Sequence, residues 1–289
     1  MKVFREPLKL QAWCRKVRLA GKKVALVPTM GYLHEGHLSL IETAKRKGAD
    51  EIVVSVFVNP VQFCPGEDYE KYPRDEKQDL AKCRAAGATA VFFPTPANMY
   101  LDRHSVYINE EDLSKGLCGA RRPGHFRGVC TVVAKLFNLA HPNFAVFGQK
   151  DYQQAQIIKR MVRDLNFDLK IVVAPIVREP SGLARSSRNT YLSVEEKVRA
   201  LAISKTLKQM KSGAVRSTAA AAKLLTKAGL RVDYVECVDA ETLESRRKIS
   251  RGCAVLVAAY DGKTRLIDNC LINWGDSTDE DVRCPSEKR

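Results

Sequence analysis

Two histidines stand near the start of the chain, His34 and His37, with Gly36 between them. They follow an apolar run, residues 23–28, that predicts a buried strand, and they lie at the start of a segment, residues 36–47, that predicts a helix. A helix N-terminus placed after a parallel strand attracts phosphate. Two imidazoles at that point could donate hydrogen bonds to the charge that develops during nucleotidyl transfer. Two ordinary surface histidines at a helix start are the alternative interpretation.

Other motifs do not fit this stretch. Gly31 and Gly36 have the spacing of a P-loop, but His37 and Leu38 stand where that motif needs Lys and Ser or Thr. The GxGxxG pattern of dinucleotide-binding folds is absent. The histidines are three residues apart, whereas the HExxH motif of metalloproteases needs a spacing of four. An HxGH pattern suited to phosphate chemistry is what remains.

Four further polar runs border predicted strands or helices. Asn59 and Gln62, in VNPVQF, carry amides that suit the hydroxyl and carboxylate groups of a small polar substrate, although Asn-Pro is also a turn signal. The run RRPGHFRG, residues 121–128, either binds an anion or forms a solvated loop. Lys150, in FGQKDYQQ, would be a point charge facing phosphate. The run RSSRN, residues 185–189, either binds phosphate or links two domains.

Strand and helix patterns alternate through the first part of the chain. The predicted strands are residues 23–28, 51–58, 88–93, 144–147 and 169–177, and the predicted helices are residues 36–47, 74–86, 126–139 and 151–165. This alternation predicts βαβ units and a parallel sheet covered on both faces. We therefore expect an α/β fold with a Rossmann-like, doubly wound parallel sheet. Ligands of such a sheet bind at the carboxyl ends of its strands, where the polar runs lie.

The composition changes after about Asn189. A helical stretch rich in Ala and Lys, residues 194–229, precedes predicted strands at residues 231–238, 254–260 and 264–272. This pattern predicts a second, smaller α+β domain at the C-terminus. We expect domains at residues 1–180 and 181–289, with the polar segment 178–188 as a hinge. The tail after Gly275 is polar and is expected to be loose.

The composition narrows the class of protein. Hydrophobic residues make up 45% of 289 residues, which excludes a disordered chain. The net charge of +15 favours anionic partners. The nine cysteines are dispersed without a CxxC pair, which argues for reduced thiols and against a disulfide framework or a zinc site. The N-terminus lacks the apolar core of a secretory signal, and the longest apolar run, residues 52–58, is too short to span a bilayer. We expect a cytoplasmic protein without membrane contact.

Five motifs in register resemble those of the pantothenate synthetase (pantoate–β-alanine ligase) family: PTMGYLHEGH, VNPVQF, RPGHFRGV, FGQKDYQQ and GLARSSRN. The segments DYVECVDAETL and RLIDN near the C-terminus fit as well. HxGH alone indicates only the wider nucleotidylyltransferase group. The resemblance implies that ATP and (R)-pantoate form pantoyl adenylate and pyrophosphate. Attack by β-alanine then yields pantothenate and AMP.

The resemblance also implies site residues. It assigns ATP to Met30, Gly31, Tyr32, Leu33, His34, Glu35, Gly36, His37, Gly148, Gln149, Lys150, Asp151, Val177, Arg185, Ser186, Ser187 and Arg188. It assigns pantoate and β-alanine to Gln62 and Gln154, with Asn59 nearby. His37, His34 and Lys150 would be catalytic. The family's His37 is often assigned as a proton donor, and we interpret it as a hydrogen-bond stabiliser of the transferring phosphoryl group. Mg²⁺ is implied by ATP, and no metal ligand is assigned.

The chain departs from the family pattern at two positions. The family usually has Glu where this chain has Gln149, and Met or Leu where it has Arg185. Gln149 keeps the hydrogen-bonding shape and loses a charge. Arg185 would either turn to solvent or lie on the face of the adenine ring. The resemblance further implies a homodimer and a C-terminal domain that closes over the substrates.

Two rival functions compete with this interpretation. An adenylyltransferase that makes a dinucleotide would share HxGH, but the amides of Gln62 and Gln154 suit a small hydroxy acid better than a phosphorylated acceptor. An RNA-binding protein would explain the charge of +15. The basic residues are spread over every segment and no RNA-binding module is present, so no nucleic-acid partner is expected.

Overall fold

The structure, a computed structural model, describes residues 1–274 of the chain. The predicted loose tail after Gly275 lies outside the described residues. The strands are β1 (Lys2–Phe4), β2 (Val24–Thr29), β3 (Glu51–Val56), β4 (Ala90–Phe92), β5 (Phe144–Gly148), β6 (Lys170–Ala174), β7 (Arg231–Asp239), β8 (Cys253–Asp261) and β9 (Thr264–Leu271). The helices are α1 (Pro7–Leu19), α2 (Glu35–Arg46), α3 (Glu76–Ala86), α4 (Pro96–Met99), α5 (Leu117–Arg121), α6 (His125–Ala140), α7 (Tyr152–Asp164), α8 (Val194–Lys211) and α9 (Thr218–Lys227). Short 3-10 turns at Pro60–Gln62 and Gln149–Asp151 follow β3 and β5.

A parallel sheet forms the centre of the first part of the chain. Its strands lie in the order β1-β4-β3-β2-β5-β6, and each pair of neighbours is parallel. Residues 24–27 of β2 are all buried, as expected for a strand covered on both faces. Val27, Val54 and Val146 from the central strands pack with Ile41 of α2 in one buried cluster. The predicted Rossmann-like, doubly wound α/β sheet is confirmed.

The first strand and the first helix were not predicted from the sequence. β1 is a three-residue strand at the edge of the sheet, too short to show an alternating pattern. α1 buries Leu10, Cys14 and Val17, a helical spacing that the many surrounding charges obscured. Pro7 at the first turn of α1 was a second available signal.

The second part of the chain contains two helices and an antiparallel sheet. β8 pairs with β7 on one side and with β9 on the other. The predicted helical stretch 194–229 is two helices, because the chain turns after α8 and α9 begins anew with Ser217 as its N-cap. The predicted smaller α+β domain is confirmed.

The chain divides into two compact units, Met1–Thr190 and a second unit that begins at Tyr191. The segment 178–188, which the sequence analysis treated as a hinge, belongs to the first unit. Asn189 Nδ2 donates to Glu179 Oε1 at 3.0 Å and to the Ala184 carbonyl at 3.0 Å. Arg188 donates to both carboxylate oxygens of Asp68. These bonds tie the segment to its own unit, and the closing role of the C-terminal domain stays a prediction.

Within residues 1–274, none of the helices combines the length and the apolar character needed to cross a membrane.

Candidate active site

The loop between β2 and α2 is held in an unusual backbone conformation. Gly31 has φ +87° and Tyr32 has φ +50°, both in the left-handed region. A Cβ at Gly31 would lie 2.8 Å from Val56 Cγ1, so only glycine fits there. Asp79 of α3 accepts hydrogen bonds from the amides of Tyr32 at 2.9 Å and Leu33 at 2.7 Å. A carboxylate from a distant helix therefore sets the path of the chain into α2.

The two histidines stack at the N-terminus of α2. Their ring centroids are 4.0 Å apart with an interplanar angle of 25°. His34 Nδ1 accepts from the Gly36 amide at 3.1 Å, and His37 Nδ1 accepts from the His34 amide at 3.3 Å. Because each Nδ1 is an acceptor, each neutral ring carries its proton on Nε2. A Cβ at Gly36 would lie 2.8 Å from His34 Cε1, so a side chain there would displace that ring.

Both imidazoles are uncharged at neutral pH. Burial lowers the pKa of His34 to about 4, and the positive charge of Lys150 acts in the same direction. Burial lowers the pKa of His37 well below its ordinary value, again with help from Lys150. The pair therefore presents Nε2–H donors without positive charge.

A cavity of about 200 Å³ opens beside the histidines and lies within the first unit. Most of the predicted site residues line it: Met30, His34, Gly36, His37, Asn59, Gln62, Gly148, Lys150, Asp151, Gln154, Val177, Arg185, Ser186, Ser187 and Arg188. Five predicted residues are not among its lining: Gly31, Tyr32, Leu33, Glu35 and Gln149. Leu33 is buried, and Gly31 and Tyr32 shape the loop from behind.

Other residues of the cavity lining were not predicted from the sequence. One wall is apolar and comes from α6 and from strand ends, with Val129, Val132, Val133, Leu136, Phe57 and Phe147. Thr29 and Ser55 lie near the carboxyl ends of β2 and β3, and that position was the available signal. Ser55 Oγ is buried, and no group in the described part of the chain bonds to it. Tyr72 and the supporting Asp79 had no local signal, since only the folded chain brings them to the loop.

The amides of Asn59 and Gln62 form one connected group. Asn59 Nδ2 donates to Gln62 Oε1 at 3.1 Å and to the Gly128 carbonyl at 3.2 Å. The Tyr100 hydroxyl donates to Asn59 Oδ1 at 2.7 Å. Gln62 Nε2 points to Met30 Sδ at 3.0 Å, a weak acceptor that a substrate oxygen would outcompete. Asn59 Nδ2 already donates two hydrogen bonds, so Gln62 Nε2 is the amide donor of this pair that a substrate could use.

The stretch after β5 places a cation and an amide at the cavity. Lys150 Nζ lies 3.6 Å from Asp151 Oδ1 and lines the cavity together with Gln154. The neighbouring Gln153 turns the other way and is buried. Its side chain bonds to the carbonyls of Leu113 and Gly116, so the two adjacent glutamines have different roles.

The loop 185–188 closes the remaining side of the cavity. Arg188 forms a bidentate ion pair with Asp68, and Ser187 and Tyr72 both line the cavity. Arg185 Nε lies 3.2 Å from Glu35 Oε2 at ion-pair distance without hydrogen-bond geometry. Arg185 Nη1 lies 3.5 Å from Glu179 Oε1. The guanidinium thus lies between two carboxylates.

Metal ligands are sparse in this region. In residues 1–274 no group of three or more His, Cys, Asp or Glu side chains could hold a metal ion. Asp151 is the acidic side chain of the described cavity lining. These residues fit a Mg²⁺ ion that keeps most of its ligands as phosphate oxygens and water.

Sequence comparison supports the motif interpretation. Residues 2–271 match the family described as Pantoate-beta-alanine ligase. A pantothenate synthetase of Clostridium novyi (strain NT) is 52% identical over 264 residues, covering 89% of this chain and 93% of that protein. One of Myxococcus xanthus (strain DK1622) is 53% identical over 267 residues, covering 89% of this chain and 91% of that protein.

Solved structures of the same family resemble this chain. The pantothenate synthetase of Thermus thermophilus superposes with a TM-score of 0.87 at 41% identity, covering 94% of this chain and 100% of that chain. The pantoate-beta-alanine ligase of Francisella tularensis, solved in complex with beta-gamma ATP and beta-alanine, has a TM-score of 0.81 at 34% identity. That match covers 94% of this chain and 97% of that chain.

Proposed function

The chain belongs to the pantoate–β-alanine ligase family, and on that premise we propose a role for each part of its cavity in the ATP-dependent condensation of (R)-pantoate with β-alanine. A carboxylate oxygen of pantoate attacks the α-phosphorus of ATP, and the bond from that phosphorus to the oxygen of the leaving pyrophosphate breaks. The amine of β-alanine then attacks the acyl carbon of pantoyl adenylate. AMP leaves with the bonding electron pair, the amine loses a proton, and pantothenate remains.

The stacked histidines carry this proposal. Two uncharged Nε2–H donors at the start of α2 suit the oxygens of an α-phosphate, where negative charge rises in the transition state. A neutral imidazole with its pKa far below 7 has no acidic proton to give up at physiological pH. His34 and His37 therefore act as hydrogen-bond donors to the transferring group rather than as proton donors.

The remaining lining supports both substrates. Lys150 supplies a positive charge beside the histidines, and Ser186 and Ser187 supply hydroxyl donors for phosphate. Arg188 would donate through Nη1, the nitrogen that its two bonds to Asp68 do not involve. A Mg²⁺ ion bound together with ATP would neutralise phosphate charge, and Asp151, the acidic side chain of the described cavity lining, would be available to hold it.

Gln62 and Gln154 would hold the carboxylate and hydroxyl groups of pantoate at the opposite side of the site. The apolar wall formed by α6 suits the hydrocarbon part of the same substrate. Val177 would meet the adenine ring through its backbone. β-Alanine would approach the acyl carbon beside Gln62.

Assembly and location belong to the same proposal. The family resemblance supports a homodimer, which sedimentation of the purified chain would measure. The nine dispersed cysteines support a cytoplasmic enzyme, because reduced thiols are typical of that compartment. Fractionation of cells that express the chain would test the location.

A burst experiment tests the two-step reaction. ATP, Mg²⁺ and pantoate without β-alanine should release about one pyrophosphate per active site, with little free AMP, because the closed site protects the adenylate from water. Addition of β-alanine should then discharge it to pantothenate and AMP. ATP with β-alanine alone should release none, and Lys150→Ala should suppress the burst.

Two results would overturn the scheme. Pyrophosphate that appears only with all three substrates would contradict an adenylate formed before the amine arrives. Release of ADP and phosphate would place the attack at the γ-phosphorus, away from the histidine pair.

A further inference from the structure

The basic run 121–128 is a solvated loop only in part, because Arg121, Pro123, Gly124 and Arg127 are exposed and its other residues are not. It passes into α6, whose first residues His125 and Phe126 are buried. Neither Arg122 nor His125 is among the residues that line the cavity. Both nevertheless contact the backbone of Gln62, so this run lies directly behind a residue to which the proposed function gives a substrate.

His125 bridges an arginine and the Gln62 backbone. His125 Nδ1 lies 2.8 Å from the Gln62 carbonyl oxygen, and His125 Nε2 lies 2.8 Å from Arg122 Nη1. Arginine can only donate, so Nε2 accepts and the ring proton sits on Nδ1. Nδ1–H then donates to the Gln62 carbonyl. His125 thus has the opposite tautomer to His34 and His37.

Glu67 orients the arginine. Arg122 Nε donates to Glu67 Oε1 at 2.6 Å, and Nη2 donates to Oε2 at 2.8 Å. This fork geometry fixes the guanidinium plane and leaves Nη1 for His125. Both side chains of the ion pair are mostly shielded, with 17% and 24% of their surface exposed. An arginine engaged in this way by a carboxylate and an imidazole is poorly suited to capture a free anion.

Gly128 lets the helix approach the same turn. A Cβ at Gly128 would lie 2.6 Å from both the amide nitrogen and the Cα of Gln62, so a side chain would push the turn away. The Gly128 carbonyl accepts from Asn59 Nδ2, which also donates to Gln62 Oε1. The start of α6 therefore fixes Gln62 twice, through its carbonyl and through its side-chain oxygen.

We propose that His125, oriented by the Arg122–Glu67 pair, is a positioning residue that holds Gln62 in the geometry that binds pantoate. The inference rests on the proposed role of Gln62. His125 touches no substrate and acts only through the Gln62 backbone. Its loss should weaken pantoate binding and leave ATP binding unchanged, because the nucleotide loop, residues 30–34 between β2 and α2, is held separately by Asp79.

Steady-state measurement of pyrophosphate release, with pantoate and ATP varied separately, gives the test. His125→Ala should raise the KM for pantoate about tenfold, the scale of one lost hydrogen bond. The KM for ATP should stay within about twofold. His125→Asn keeps an N–H near the Nδ1 position and should restore the pantoate KM to within about threefold of the wild-type value. Such rescue would not be expected if the residue only filled space.

Two adjacent arginines offer a matched pair. Arg122→Ala removes the partner of His125 and should raise the pantoate KM several-fold, whereas Arg121→Ala removes the same charge from an exposed neighbour and should not. ¹⁵N NMR of labelled histidine should show the proton of His125 on Nδ1 in the wild type. In Arg122→Ala the proton should stay on Nδ1, because the Gln62 carbonyl can only accept, so this variant removes the orienting bond at Nε2 without changing the tautomer. If His125→Ala fails to fold, the pantoate KM of Arg122→Ala tests the inference instead.

Three outcomes would overturn the inference. These are an unchanged pantoate KM in a folded His125→Ala or Arg122→Ala enzyme, an equal rise in the KM for ATP, or a His125 proton on Nε2 in the wild type. Gln62→Ala separates this inference from the proposed function. If Gln62→Ala leaves the pantoate KM unchanged, the assignment of pantoate to Gln62 falls, and the inference falls with it. If Gln62→Ala raises the KM and His125→Ala does not, only the inference falls.

Discussion

In both His34 and His37, Nδ1 accepts a hydrogen bond from a backbone amide, so Nε2–H is the group that remains for a ligand. Burial beside Lys150 keeps both rings uncharged, with the pKa of His34 at about 4. His125 has its proton on Nδ1, because an arginine faces its Nε2. The residue type is the same in all three places, and the neighbouring donors and acceptors decide which nitrogen can donate.

Replacement of His37 separates hydrogen bonding from proton transfer. His37→Ala should lower the rate of pyrophosphate release at least ~100-fold, the scale of one lost transition-state donor. His37→Gln keeps an N–H donor and no titratable proton, so it should retain much of that rate. Rapid-quench measurement of pyrophosphate gives the rates, and the urea midpoint of each variant checks that it is folded. A loss in His37→Gln as large as in His37→Ala would show that the proton itself is transferred.

Arg185 offers a second residue-scale prediction. Its guanidinium lies between Glu35 and Glu179, and 61% of the Glu35 side chain is exposed. Because both carboxylates already engage this guanidinium, Arg185→Met should change the KM for ATP by no more than about threefold. Initial rates at varied ATP give the answer. A rise of about tenfold or more would mean that Arg185 binds the nucleotide directly.

At the scale of elements, α3 supports the nucleotide loop from behind. Asp79 is buried, and its carboxylate accepts hydrogen bonds from two backbone amides of the loop. The loop has left-handed backbone at Gly31 and Tyr32. Lys82, one turn further along α3, donates to the Leu33 carbonyl at 2.5 Å. Burial raises the pKa of Asp79, and the two amides act against that rise. The loop thus depends on a helix that contributes nothing to the cavity lining.

Asp79→Ala should impair both folding and nucleotide binding. The variant leaves the amides of Tyr32 and Leu33 without their acceptor, which costs about 1–3 kcal/mol for each buried group. The KM for ATP should rise with the loss of loop geometry, while the pantoate KM changes less. Asp75→Ala is the control, since Asp75 caps the same helix by accepting from the Gln78 amide and does not touch the loop. An unchanged KM for ATP in folded Asp79→Ala would contradict the supporting role.

At the scale of the whole molecule, the buried histidines tie stability to pH. Burial lowers the pKa of His34 and of His125 to about 4, against an ordinary value of 6.5, and also lowers the pKa of His37 well below that ordinary value. The unfolded chain therefore takes up protons that the folded chain does not, as the pH falls from about 6.5 towards 4. These histidines leave the free energy of unfolding unchanged above about pH 6.5 and lower it as the pH falls from about 6.5 towards 4.

His125→Asn should flatten this dependence. At about 1.4 kcal/mol for each pKa unit, His125 alone accounts for about 3 kcal/mol of lost stability by pH 4. Urea unfolding at about pH 7, 5.5 and 4.5 measures the decline in wild type and variant. The two curves should converge as the pH falls. A parallel decline in both proteins would show that His125 is protonated equally in the folded and unfolded chains.

Periodicity and local motifs were enough to predict the parallel sheet and the smaller α+β domain. The alternation of apolar runs and helical segments is a local property, and the HxGH, VNPVQF and FGQKDYQQ motifs each lie beside a strand or helix that the pattern predicts. Because all strands of such a sheet point the same way, their carboxyl ends had to share one edge. That rule brought Gln62, Lys150 and the histidines to one cavity.

Tertiary structure alone decided which neighbours surround each of these residues. Asp79 reaches the loop from a separate helix, and Arg122 and His125 reach Gln62 across 60 and 63 positions of sequence. No spacing rule connects such partners, since contacts between distant segments depend on how helices pack on the sheet. The tautomers and lowered pKa values follow from those contacts and from burial. The sequence therefore determined the candidate groups and the edge where they meet, and folding determined which protons they hold.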